Sequence, residues 1–65
     1  MKDFEKGDQV IILDRHRHPT KIRGVIVGFV KDINYNVLLT NGLSKGKIKM
    51  YKIYDLLMEK NHVLD

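Results

Sequence analysis

Two stretches of this chain gather positive charge without an intervening acid. Residues 15–23, Arg-His-Arg-His-Pro-Thr-Lys-Ile-Arg, hold Arg15, Arg17, Lys21 and Arg23; residues 44–52, Ser-Lys-Gly-Lys-Ile-Lys-Met-Tyr-Lys, hold Lys45, Lys47, Lys49 and Lys52. Together they carry more positive charge than the net +4 of all 65 residues, so the rest of the chain is net acidic. Clustered cations create a local positive potential at any net charge, and the partner they fit is anionic. Arginine forks match phosphate oxygens in pairs, lysines neutralise them as point charges, and Tyr51 adds a ring on which a base can stack. The chemistry expected is phosphate contact with RNA or DNA, single strands and RNA favoured. The plain alternative is a solvated loop and a lysine-protected strand edge.

Other chemistry finds little purchase. There is no cysteine, and Ser44 is the only serine. No glycine-rich phosphate loop leads from a strand into a helix, and no carboxylates are spaced for acid–base work. The chain reads as a non-enzyme that needs no cofactor. His16 and His18, with His62, form at most a weak metal-ligand set, because no carboxylate or cysteine stands at ligand spacing.

The elements that must position these cations are short strands. Alanine, the best helix former, is absent, while Val, Ile and Thr supply 15 of 65 residues. Lys6-Gly7-Asp8 is a turn signal, followed by a strand over Gln9 to Leu13 and a loop over 14–21. Ile22 to Val30 is a second strand, interrupted by Gly24 and Gly28, which mark a bulge or a bend. Tyr35 to Thr40 is a third, and Asn41-Gly42 predicts a two-residue hairpin turn. A fourth strand from Lys45 places Lys45, Lys47, Lys49 and Tyr51 on one face. Over Ile53 to Met58 the pattern fits a short helix or, preferably, a 3₁₀ turn at Tyr54-Asp55 followed by a fifth strand. Five short strands at this spacing suit a compact all-β barrel. The whole chain, 1–65, is one domain, with the barrel over about 6–58 and a loosely ordered tail over 59–65.

If Val10, Ile12, Val25, Val27, Val37 and Leu39 fill the interior, Ile11, Leu13, Ile26 and Leu38 point outward. An apolar patch of that size marks a protein interface or a dimer seam. This is the competing function: an adaptor or inhibitor that docks through Ile11, Leu13, Ile26 and Leu38, steered by its basic residues toward an acidic protein. Monomer and homodimer both remain open. No apolar run approaches the roughly 18 residues that cross a bilayer, and the acidic start at Asp3 and Glu5 is unlike a secretory signal, so a cytoplasmic protein without a membrane partner is expected.

The pattern Lys6-Gly7-Asp8-x-Val10-x-Ile12, a basic loop, then Gly24-Val25-x-Val27, resembles the opening of KOW-type and Tudor-like modules. The later Tyr35-x-Val37-x-Leu39, Asn41-Gly42 and Asp55-Leu56-x-Met58 fit their remaining hairpin, 3₁₀ turn and closing strand. The resemblance spans about residues 6–58 and implies a small five-stranded SH3-like barrel with a 3₁₀ turn before the last strand. Such barrels serve ribosomal proteins, transcription elongation factors and protein-interaction modules. In place of the extra glycine that KOW motifs carry before the second strand, this chain has Arg15 to Lys21.

Overall fold

A computed structural model of the chain describes residues 4–31 and 33–59. It is all-β. Five strands, β1 (Gln9–Leu13), β2 (Pro19–Phe29), β3 (Asn34–Leu39), β4 (Ile48–Lys52) and β5 (Leu56–Met58), form one antiparallel sheet in the order β4-β3-β2-β1-β5. The 3₁₀ turn Ile53–Asp55 precedes β5, as the preferred sequence reading had it. β4 and β5 end the sheet and do not pair with each other, so the sheet is open. Of the expected tail, residues 60–65 lie outside the described residues, His62 among them.

The turns on either side of β1 have local causes. Gly7 takes a φ of +94°, and Asp8 closes the turn: its carboxylate accepts the Glu5 N–H at 2.9 Å and its own N–H reaches the Glu5 carbonyl at 3.0 Å. The Gly7 N–H then bonds the Ile26 carbonyl at 2.8 Å, tying the entry of β1 to β2. The β1–β2 loop is shorter than expected, because β2 begins at Pro19. The Asp14 carbonyl accepts from Arg17 N–H at 2.8 Å, Arg17 follows at φ 63°, and the Asp14 N–H closes on the His18 carbonyl at 2.9 Å. That is a three-residue hairpin loop with a left-handed last residue.

The core gathers Phe4, Val10, Ile12, Ile26, Tyr35, Val37, Leu39 and Leu56. Phe4 and Phe29 each set a ring edge-on to Tyr35, at 5.3 and 5.4 Å. This core corrects the expected face of β2. Ile26 points inward and is 1% exposed, whereas Val25 and Val27 are only half-buried. The reason is Gly24, which shares the inward face: a Cβ there would run into the Val37 side chain and come within 3.0 Å of the Leu38 carbonyl, so β2 and β3 pack closely only with a glycine between them. The bulge foreseen near Gly28 is present as a register shift between Ile26 and Gly28; beyond it Phe29 packs against the core.

Candidate functional site

Antiparallel pairing decides where the two cationic stretches lie. Gly24 stands opposite Leu39, so the middle of β2 runs beside the end of β3. The β3–β4 loop therefore leaves the sheet beside the first half of β2, where Lys21 and Arg23 lie, whereas the β1–β2 loop meets the 3₁₀ turn that follows the far end of β4. A side chain fastens the β3–β4 loop to β2. The Asn41 Oδ1 accepts the Arg23 N–H at 2.8 Å, and its Nδ2 donates to the Lys21 carbonyl at 3.0 Å. Next to it the Thr40 N–H bonds the Arg23 carbonyl at 2.9 Å. The Asn41 amide thus extends the β2–β3 ladder by one rung, imitating a peptide unit.

Because Asn41 is used this way, the expected two-residue turn at Asn41-Gly42 does not form. The chain makes a wide loop instead, with Gly42 at φ +82° and Gly46 at φ +90°, closed by the Leu39 N–H to the Lys47 carbonyl at 2.9 Å. Lys45 and Lys47 consequently belong to the loop, and β4 begins only at Ile48. The even row of lysines expected on one strand face is replaced by a cationic loop leading into Lys49.

Among the expected phosphate contacts, Arg15, Lys21, Lys45, Lys47 and Lys49 are exposed and form no ion pair among the described residues. Arg17 sets its guanidinium over the Tyr54 ring at 5.6 Å, which joins the β1–β2 loop to the 3₁₀ turn. Arg23 is otherwise engaged, with Nε 3.5 Å from Glu59 and Nη1 donating to the Thr20 carbonyl at 3.0 Å. Lys52 pairs with Asn34 at the opposite end of β4 and is not part of the cluster.

Between β2 and the wide loop lies a cleft of about 220 Å³, whose lining includes Ile22, Asn41, Leu43, Ser44, Lys49 and Tyr51. Lys49 and Tyr51 stand opposite Val37 and Tyr35, on the inward side of the sheet, and the half-buried Tyr51 packs against the core. Burial, and then the charge of Asp55, push the Tyr51 phenol above its ordinary pKa, so it stays a neutral donor at physiological pH. Leu43 is fully solvent-exposed at the loop tip. Ile22, Leu43 and Ser44 were not foreseen as site residues. For Leu43 and Ser44 the signal is an apolar and a hydroxyl side chain immediately after Asn-Gly, hidden while Asn41 and Gly42 are read as a tight turn; Ile22, on β2, has no such signal.

The Asp14 carboxylate is committed to its own loop, accepting the His18 N–H at 2.9 Å and the His16 N–H at 2.8 Å. The His18 bond above all, helped by the His16 bond and the His18 charge, holds its pKa below the usual aspartate value although desolvation pushes the other way. The His16 and His18 rings lie 6.3 Å apart, and no three potential metal ligands gather among the described residues.

The apolar patch expected at Ile11, Leu13, Ile26 and Leu38 is redrawn. Ile26 belongs to the core, and Ile11, between Arg23 of β2 and Leu57 of β5, is 1% exposed; Leu13 and Leu38 are half-buried. The exposed apolar side chains of the sheet are instead Ile48 and Met50 of β4, with Ile48 beside Leu38 and Leu38 beside Val25.

No protein family, curated protein or solved structure matches this chain. No helix among the described residues is long and apolar enough to cross a membrane.

Proposed function

We propose that this protein is a non-enzymatic nucleic-acid-binding module of the cytoplasm that grips single-stranded RNA or DNA. Its five strands are, in this reading, an open version of the SH3-like barrel of KOW-type and Tudor-like modules. One observation supports the proposal: the cationic β3–β4 loop is fastened beside Lys21 and Arg23 of β2, far from it in sequence, and borders a cleft lined by Lys49 and Tyr51. Arg15, Arg17, Lys21, Lys45 and Lys47 contact phosphates, and one unpaired base lies in the cleft beside Tyr51 and Leu43, with Lys49 at its rim. Affinity comes mainly from phosphate contacts and sequence preference is small, since no element is shaped to enter a major groove.

Titration with a short mixed-sequence oligonucleotide at two salt concentrations tests this. With about four phosphates neutralised, log affinity falls with log salt at a slope near −3 for a single strand. Backbone amide shifts concentrate in residues 14–23 and 40–51. Absence of binding to both RNA and DNA at low salt ends the proposal.

A further inference from the structure

Independently of nucleic acid, the free edge of β4 has the layout of a docking strand. β4 pairs only with β3. At one end the Leu39 N–H bonds the Lys47 carbonyl, and just beyond the other end the Ile53 N–H bonds the Ile33 carbonyl at 2.7 Å. Hydrogen-bonded pairs alternate along an antiparallel ladder, so residues 47, 49, 51 and 53 bond inward to β3. The N–H and C=O groups of Ile48, Met50 and Lys52 therefore face outward from the sheet edge. The same residues carry the exposed apolar side chains, Ile48 at 60% and Met50 at 58%, and their face continues through Leu38 to Val25. The opposite face of the edge presents Lys49, with Lys47 just before the strand, and no acid occurs from Leu43 to Tyr54.

We infer that this edge accepts an extended segment of another protein as a sixth strand, and that the segment alternates acidic with apolar residues. Main-chain bonds to Ile48, Met50 and Lys52 supply attachment. The alternation supplies selectivity: apolar side chains lie beside Ile48 and Met50, acids beside Lys47 and Lys49. Charge selects this occupant over a second copy, because joining two β4 edges brings their lysines together with no acid among them.

The test uses the full chain and a blocked hexapeptide alternating glutamate and valine, followed through backbone amide shifts and amide exchange. Expected are shifts centred on 48–52, slowed exchange of the Met50 amide, and no response to the lysine–valine counterpart. Met50→Pro leaves β3 pairing intact, because the Met50 N–H faces outward, yet weakens the peptide about tenfold by deleting one main-chain bond. Lys49→Glu weakens it similarly without altering the fold. Oligonucleotide binding by Met50→Pro stays at the wild-type level, which separates this edge from the cleft. The inference is overturned by peptide shifts that avoid 48–52, by equal binding of the lysine peptide, by an unaffected Met50→Pro variant, by edge shifts on self-dilution, or by an oligonucleotide that shifts the edge where the peptide does not.

Discussion

The carboxamide of Asn41 clasps the backbone on both sides of Ile22, its oxygen accepting the Arg23 N–H and its nitrogen donating a hydrogen bond to the Lys21 carbonyl. The two bonds hold the cationic β3–β4 loop against the first half of β2. Asn41→Ala removes both bonds and is expected to cost about 1–2 kcal/mol, read as a lower urea midpoint at unchanged slope. It also weakens oligonucleotide binding, because the wide loop is no longer anchored. Asn41→Asp keeps the acceptor but sets a carboxylate against the Lys21 carbonyl, so it rescues less than half of the loss. Stability equal to wild type in Asn41→Ala would show that the amide bonds water as well as it bonds β2.

Acid should loosen the opposite loop first. The folded pKa of Asp14 is depressed, so its contribution to stability is present above the ordinary aspartate pKa and disappears as pH falls through the folded value. Below about pH 4 the amides of His16 and His18 lose protection before those of β1 and β2. In Asp14→Asn that acid-dependent loss is absent. Amide exchange of residues 14–18 as a function of pH measures it.

Gly24 admits no side chain. Gly24→Ala drives a methyl group into Val37 and toward the Leu38 carbonyl in the middle of the sheet, and an overpacked core costs about 1–3 kcal/mol. Thermal unfolding checks this, and pairing Gly24→Ala with Val37→Ala recovers part of the loss by opening room for the methyl.

Charge reversals sort the lysines by position. Lys45→Glu and Lys47→Glu each weaken oligonucleotide binding, and each flattens the salt slope by about 0.7, the share of one phosphate on a single strand. Lys52→Glu, at the far end of β4, leaves both quantities near wild type. An equal effect from all three would mean that overall charge, and not the cationic end of the sheet, governs binding.

Much of the scaffold was legible because its signals are local. Gly7-Asp8, the break after Leu13 and the 3₁₀ turn before Leu56 each depend on a few neighbouring residues, and the all-β class follows from composition. The faces of β2 were not legible. Both residue sets of this strand are apolar, so a two-residue period has no preferred phase, and the contact of Gly24 with β3 decides it. The site was half legible for a similar reason. Charge marks Arg15, Lys21, Lys45 and Lys47, but the cleft exists because Asn41 reaches a strand eighteen residues earlier in the chain, which no local pattern announces. The same long-range choice moved Lys45 and Lys47 off β4, and the ion pair with Glu59 took Arg23 out of the exposed set.

β1 lies between β2 and β5, with Val10 opposite both Gly24 and Met58. During synthesis the first strand therefore emerges long before its last neighbour, and one flank stays bare until residue 58 has cleared the ribosome. The same adjacency sets the beginning of β1 beside the end of β5, so the sheet brings together residues nearly fifty positions apart in the chain.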